Sequence, residues 1–321
     1  MAHELPQTTA PSTNYADCPF LRLPCEIRLR IYTLLFFPTQ STDLRARDEK
    51  VAISLQDSFD YEKKLRGTDR MLDGDLQNPT LLIRTIEGGA YTRLYGPSRL
   101  RGEHLRKKYG VSARFRTRYM MTTYHCVNNP RLEKNMGIMA VNRQVHSEAA
   151  ELLYGSYTFD FDTHVEAIVP FFTDLTSFAR SCVKSIRFVK RGLAYDREYD
   201  RAEWNNALQF LTTPISTLNL KTLELGIVAG KPGERGWDNI ATYSADEFAL
   251  MKGADGMQWA LAVLRLKDCG LRGLEVTAVV EHCPPATNSM AMAAFIRFSA
   301  SIETGFRDYL RGVVLAEIPE G

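Results

Sequence analysis

The second half of the chain alternates between strand-like and helix-like segments, and this alternation constrains the fold more than any other feature. The strand-like segments are short apolar or alternating runs at residues 157–161, 183–190, 221–228 and 271–281. The helices between them begin at capping signals, Thr163–Glu166, Asp200–Glu203 and Ser244–Glu247. Strands that alternate with helices indicate crossover connections and parallel pairing. We therefore predict an α/β (α+β) fold with a partly parallel sheet.

The sequence indicates where two helices in this region begin and end. The capping signal at Thr163–Glu166 predicts a helix that runs to about Phe178, with a kink or an early break at Pro170, because proline removes a backbone donor. A closing helix is predicted from Met290 to Leu310.

Three of the strand-like segments resemble one another. Residues 185–189, 220–227 and 271–278 each place leucine or isoleucine before a charged residue and then an apolar run. This pattern is weakly similar to that of leucine-rich repeats. Their spacing is uneven, so the sequence does not predict a regular repeat array.

Residues 20–37 predict an amphipathic helix near the N-terminus. Pro24 suits a first-turn position, and Glu26 places a negative charge near the positive end of the helix dipole. An apolar face is formed by Leu23, Ile27, Ile31 and Leu34. Arg28 and Arg30 are predicted to lie away from that face. A helix this short needs a partner for its apolar face.

A second helix is predicted from Leu132 to Leu153. Its apolar face includes Ile138, Val145 and Leu152. Asn142 lies on or beside this face, and we predict that its amide is buried and hydrogen-bonded there.

Between these helices, residues 39–131 predict an irregular insertion with short strands at Val51–Leu55 and Thr80–Ile86. Part of it, residues 93–118, is basic and carries interleaved aromatic residues. Such a stretch can bind nucleic acid through phosphate contacts and stacking. The candidate contacts are Arg106, Lys107, Lys108, Arg114, Arg116 and Arg118. A solvated or disordered insertion is the favoured interpretation, because no nucleic-acid-binding motif accompanies the charge.

Composition narrows the class of protein further. The chain has 321 residues with 40 basic and 38 acidic side chains, so its overall charge does not indicate a polyanionic partner. Six cysteines lie far apart, which predicts reduced thiols and a cytoplasmic or nuclear location. Residues 1–17 predict a disordered tail without a signal peptide. No run of the sequence is apolar enough for a membrane helix.

Two stretches resemble a known family. Residues 21–36 are similar to the first helix of an F-box, and together with residues 139–161 they resemble a large fungal family of F-box-like, or EXR-motif, proteins. In the first stretch the matching residues are Leu23, Pro24, Glu26, Ile27, Arg28, Ile31 and Tyr32. In the second they are Asn142, Arg143, Gln144, Val145, Glu148, Ala149, Leu152, Leu153, Tyr154, Phe159 and Phe161.

The resemblance implies an F-box-like module at residues 18–161 and a partner-recognition region at 162–321. A full F-box has three helices and binds the Skp-type adaptor of cullin–RING ubiquitin ligases, whereas only the first helix matches here. Two alternatives follow for Ile27, Ile31 and Leu34. They could form an exposed adaptor-binding surface, or they could pack within the chain against Ile138, Val145 and Leu152, which is the alternative we favour.

The sequence lacks the common nucleophile, zinc-protease, phosphate-loop and dinucleotide motifs, so we predict no enzyme, no cofactor and no metal site. The expected function is that of an intracellular protein-interaction protein, and a substrate receptor of a cullin–RING ligase is the specific hypothesis. The alternatives are an F-box-like fold that does not bind the adaptor, and a nucleic-acid-associated protein that uses residues 93–118.

Overall fold

The computed structural model describes residues 18–37, 79–87, 108–112, 117–126, 132–191, 200–228, 240–251, 257–279 and 290–315. The prediction of a strand at residues 51–55 and the prediction of a tail at residues 1–17 fall outside these ranges.

A mixed seven-stranded sheet organises these residues. Its strands are β1 (Thr80–Glu87), β2 (Lys108–Ser112), β3 (Thr117–Cys126), β4 (Thr158–Asp160), β5 (Ser185–Arg191), β6 (Thr222–Val228) and β7 (Gly273–Ala278). Their order is β2-β3-β1-β4-β5-β6-β7. From β1 to β7 the neighbouring strands are parallel, whereas β3 is antiparallel to both β1 and β2. The predicted α/β class and the partly parallel sheet are confirmed.

The α-helices are α1 (Cys25–Phe36), α2 (Leu132–Asn135), α3 (Arg143–Ser156), α4 (Ile168–Asp174), α5 (Ser177–Cys182), α6 (Asp200–Thr212), α7 (Ala245–Met251), α8 (Gln258–Leu264), α9 (Met290–Ser301) and α10 (Arg307–Val314). Short 3₁₀ segments lie at Met136–Ala140, Val165–Ala167, Pro214–Ser216 and Arg265–Cys269. A π-helical segment at Ile302–Phe306 connects α9 to α10.

Alternation along the strands explains how the sheet packs. In β7, Leu274 and Val276 are buried, whereas Glu275 between them is exposed. Because successive side chains point to opposite faces, one face of this strand packs on the core and the other carries polar groups. On that polar face, Arg187 Nε of β5 donates to Glu224 Oε2 of β6 at 2.6 Å.

One hydrophobic cluster fills the space between the sheet and the helices. It contains Tyr32 and Phe36 of α1, Trp204 of α6 and Phe306 of the π-helical segment. The Trp204 indole Nε1 donates to the Trp259 carbonyl oxygen at 3.0 Å, which satisfies the polar atom of this buried ring. The same core therefore includes residues from both sides of the predicted boundary at residue 161.

Helix boundaries correct two sequence predictions. The predicted helix at 132–153 is broken, because Asn142 is extended and its Oδ1 accepts a hydrogen bond from the Val145 amide as the N-cap of α3. Asn142 is therefore a capping residue and not a buried amide on an apolar face.

The predicted capping box at Thr163–Glu166 is wrong. The Glu166 carboxylate accepts a hydrogen bond from the Thr85 hydroxyl of β1, and the Thr163 hydroxyl accepts one from Arg191 of β5. The 3₁₀ segment at Val165–Ala167 has His164 as its N-cap, and it has no side-chain capping hydrogen bond there. The predicted capping box at Ser244–Glu247 is confirmed by reciprocal bonds of 2.8 and 3.2 Å.

Close backbone contact marks the π-helical segment. The position that a Cβ atom would take at Gly305 lies 1.9 Å from the Tyr243 carbonyl oxygen. The Tyr243 backbone is fixed there, because its amide donates to Ser301 Oγ at 2.6 Å and the Arg297 guanidinium lies 3.8 Å from the centre of its ring. The segment before α7 thus packs against the C-terminal helices through a glycine contact.

Candidate functional site

Helix α1 is held against helix α3 by an ion pair between Arg28 and Glu148, which are 120 residues apart in the sequence. Arg28 Nε donates to Glu148 Oε2 at 2.9 Å, and Arg28 Nη2 donates to Glu148 Oε1 at 2.6 Å. The remaining nitrogen, Nη1, donates to the carbonyl oxygens of Leu21 and Leu23. A bidentate guanidinium–carboxylate pair fixes orientation as well as distance. Arg28 therefore sets the angle at which α1 meets α3.

Two further donors complete the environment of this carboxylate. The Tyr32 hydroxyl donates to Glu148 Oε2 and the Gln144 amide donates to Glu148 Oε1, both at 3.0 Å. We call Arg28, Tyr32, Gln144 and Glu148 the Glu148 cluster. The hydrogen bond from Arg28 is the main reason that the pKa of Glu148 falls to about 2. Burial, followed by the hydrogen bond to Glu148, raises the pKa of Tyr32.

The Glu148 cluster turns the apolar stripe of α1 outward. Arg28, Tyr32 and Phe36 form the buried face, at a spacing of four residues. Ile27 is 48% exposed and Leu34 is 52% exposed, and Ile31 between them is partly exposed. The prediction that these three residues pack against Ile138, Val145 and Leu152 is wrong. Arg28 does lie away from the stripe, as predicted, but its side chain is buried, which was not predicted. A polar face that finds matched partners inside can be buried in place of an apolar one.

The end of α1 is secured by two long-range hydrogen bonds that the sequence did not indicate. Tyr157 donates its hydroxyl to the Phe36 carbonyl oxygen, and Asn135 Nδ2 donates to the Leu35 carbonyl oxygen at 2.7 Å. The last carbonyls of a helix have no partner within the helix, so these contacts satisfy them. Helix α1 is thus held at both ends by the segment 132–157.

The remaining motif residues have various roles. Arg143 is exposed and Leu152 is half-buried. Tyr154 stacks on the buried ring of Phe159 at a centroid distance of 5.9 Å. In α1, Pro24 is the exposed N-cap and Glu26 is exposed in the first turn.

The basic stretch is described only in part. Lys108 begins β2 and Arg118 lies in β3, where the Cα of Arg118 faces that of Val111. The other candidate nucleic-acid contacts, Arg106, Lys107, Arg114 and Arg116, lie outside the described residues. Neither β2 nor β3 was predicted, because the sequence indicated an irregular insertion here.

A second polar cluster lies at the carboxyl ends of the parallel strands, the edge where open α/β sheets bind ligands. The Thr85 hydroxyl of β1 donates to Glu166 Oε1 at 2.6 Å and lies 2.7 Å from His164 Nδ1. All three side chains are buried. Glu203 of α6 is close enough for its charge to interact with that of Glu166. Glu203 was predicted only as part of the capping signal Asp200–Glu203, and nothing local in the sequence indicated these long-range contacts.

Glu203 makes stability depend on pH near neutrality. Burial, followed by the charge of Glu166, raises the pKa of Glu203 from 4.5 to about 7. The folded state then holds a proton that the unfolded state releases, so stability falls as the pH rises from about 4.5 to about 7. We expect Glu203→Gln to stabilise the protein at pH 8 by about 1 kcal/mol, a value discounted for the partial exposure of the side chain.

Urea denaturation at pH 5 and pH 8 measures this effect. Glu275→Gln, at an exposed position of β7, is the matched control and should leave the pH dependence unchanged. An equally steep pH dependence in Glu203→Gln would contradict the assignment.

Other kinds of site are not found in the described part of the chain. There, no group of three or more histidine, cysteine, aspartate or glutamate side chains is arranged to hold a metal ion. Cys18, Cys25, Cys182 and Cys269 are free thiols. Within the same ranges, no helix has the length and apolar composition needed to cross a membrane.

Comparison with known proteins does not assign the chain to a family or a fold. No family model, no curated protein and no solved structure matches the chain.

Proposed function

We propose that this chain is a protein-interaction protein that acts by binding and not by catalysis, with α1 as its docking element. The observation that carries the proposal is the orientation of α1, whose apolar residues Ile27 and Leu34 face outward while Arg28 and Tyr32 are buried. An exposed apolar stripe costs solubility and typically marks an interaction surface. The Glu148 cluster supports this role, because it fixes the orientation of α1 through Arg28 and Tyr32 and leaves Ile27 and Leu34 exposed.

The partner that we propose is the Skp-type adaptor of a cullin–RING ligase. Support comes from the resemblance of residues 21–36 to the first helix of an F-box, together with the exposure of Ile27 and Leu34 on that helix. In this proposal residues 18–161 are the F-box-like module. The protein then acts in the cytoplasm or nucleus as a receptor that brings a second protein to the ligase.

Residues 162–321 would recognise that second protein. The support is the pairing of the three similar segments as neighbouring parallel strands β5, β6 and β7. Their apolar positions coincide, since Ile186 faces Leu223 and Leu223 faces Leu274. Stacked similar units of strand and helix create extended binding surfaces in leucine-rich-repeat proteins. We propose a short, irregular version of that arrangement here.

A binding measurement with two substitutions tests the adaptor hypothesis. The purified chain is titrated with a purified Skp-type adaptor by isothermal calorimetry. We expect binding by the wild type and a loss of affinity of at least about tenfold in Ile27→Asp/Leu34→Asp. The melting temperature should change little, because both side chains are about half exposed.

Leu250→Asp is the matched control, since it makes the same change at an exposed position of α7. Equal affinity of wild type and Ile27→Asp/Leu34→Asp would contradict the docking role of α1. If the wild type does not bind the adaptor, the F-box-like fold without adaptor binding is the better hypothesis. Affinity capture with mass spectrometry, comparing wild type with the double variant, then identifies the protein that the stripe binds.

A further inference from the structure

In the part of the chain that the structure describes, strand β7 lies at one end of the sheet order and pairs with β6 alone. The Gly273 amide donates to the Lys221 carbonyl oxygen and the Val279 amide donates to the Ile227 carbonyl oxygen, both toward β6. Since backbone groups alternate in direction along a strand, those of Leu274, Val276 and Ala278 point away from β6. Such an outer row of amides and carbonyls can pair with another strand.

Side chains from the C-terminal helices bond to both ends of this outer row. Arg311 Nε of α10 donates to the Leu274 carbonyl oxygen at 2.7 Å. The Ala278 amide donates to Glu303 Oε1 of the π-helical segment at 3.0 Å. Helices usually cover a sheet through apolar contacts, whereas these two side chains supply the acceptor and the donor that another strand would supply.

We propose that Glu303 and Arg311 cap the outer edge of β7 and prevent this strand from pairing with β7 of a second copy of the chain. The edge is self-complementary about Val276. In an antiparallel pair centred there, Leu274 of one copy faces Ala278 of the other and exchanges both backbone hydrogen bonds with it. The Leu274 carbonyl and the Ala278 amide are the two groups that the caps occupy.

Charge also fits this second copy. The exposed carboxylate of Glu275 would lie beside Thr277 of the other copy, so no like charges would face each other directly. The pair would be closed by a twofold axis, which stops the sheet from growing further. The two caps therefore prevent β7 from forming a dimer through its outer backbone groups.

Removing both caps tests the proposal. The variant Glu303→Ala/Arg311→Ala is compared with wild type by size-exclusion chromatography with light scattering, across a series of protein concentrations. We expect the variant to reach twice the wild-type mass as concentration rises. Arg307→Ala/Asp308→Ala is the matched control, because it removes one cation and one anion from an exposed pair in the same helical region. It should keep the wild-type mass.

Hydrogen exchange locates the new contact. In the concentrated double variant, the amides of Val276 and Ala278 should exchange more slowly than in the dilute variant. Glu303→Gln, which keeps an acceptor oxygen for the Ala278 amide, should behave as wild type. A wild-type mass for the folded double variant, or association without slower exchange at Val276, would overturn the proposal. If circular dichroism shows that the double variant is unfolded, Glu303→Ala/Arg311→Met provides the same test, because it still removes both caps and keeps the apolar stem of residue 311. A wild-type mass for that folded variant is equally contrary.

Discussion

Replacing Glu148 by alanine is expected to destabilise the protein by about 2–3 kcal/mol, even though the residue is not part of the hydrophobic core. The substitution leaves the guanidinium of Arg28 and the hydroxyl of Tyr32 buried without the acceptor that they share. The cost of an unmatched buried donor exceeds the value of the hydrogen bond itself. The remaining exposure of the Glu148 side chain, 17%, puts the estimate at or just below the lower limit of the range for fully buried ion pairs.

Denaturation in urea measures this loss. Glu151→Ala is the matched control, since Glu151 is an exposed glutamate of the same helix α3 and its loss should cost less than about 0.5 kcal/mol. Equal stability of the two variants would show that the Glu148 cluster does not hold α1 in place.

The same cluster also predicts how the protein responds to acid. The pKa of Glu148 is about 2 in the folded state and 4.5 ordinarily. Because the folded-state pKa is the lower one, the cluster stabilises the protein fully above about pH 4.5, and this contribution is lost as the pH falls toward 2. Glu148→Ala should therefore lose less stability than wild type between pH 5 and pH 3.

Replacing Gly305 by alanine should destabilise the protein by about 3 kcal/mol. The added methyl group would lie 1.9 Å from the Tyr243 carbonyl oxygen, which is backbone and cannot rotate away. Relief requires the segment before α7 to move, and this movement would break the hydrogen bond from the Tyr243 amide to Ser301. The expected cause is a lack of space, since the backbone of Gly305 does not adopt a left-handed conformation.

Thermal unfolding of Gly305→Ala and of Gly312→Ala tests this explanation. Gly312 lies in α10, and a Cβ atom there would meet nothing within 4 Å. Alanine at 312 should therefore be neutral or stabilising by up to about 1 kcal/mol, because glycine is a poor helix former. A stable Gly305→Ala variant would mean that the Tyr243 segment is not packed as described.

The sheet could be predicted from the sequence because its signals are local. Strands β5, β6 and β7 follow from short apolar runs, and capping signals separate them. The orientation of α1 could not be predicted in this way. Periodicity reports which residues share a face, but the step from an apolar face to a buried face assumes that burial follows hydrophobicity. Arg28 and Tyr32 violate this assumption because Glu148, far along the chain, provides a matched acceptor.

One feature of the sequence does indicate the contact between α1 and α3. Arg28, Tyr32 and Glu148 are all among the residues that carry the resemblance to F-box-like proteins. A charged pair of opposite sign in two linked motifs indicates a contact between them, whereas we had inferred an apolar one from Ile31. The polar cluster around Thr85, His164 and Glu166 had no such signal, because its members lie on separate strands and loops.

The 120 residues that separate Arg28 from Glu148 have a consequence for the order of events during synthesis. At about 5–20 residues per second, roughly 6–24 s pass between the synthesis of α1 and that of the acceptor for its buried face. Throughout that interval the nascent helix lacks its ion-pair partner and the hydroxyl of Tyr157, and Asn135 is made only 13 residues before Glu148. During this time the apolar side chains of Ile27 and Leu34 lie on a segment that is not yet bound to the rest of the fold. Because a helix this short is not stable alone, α1 can take up its native position only after α3 has been made.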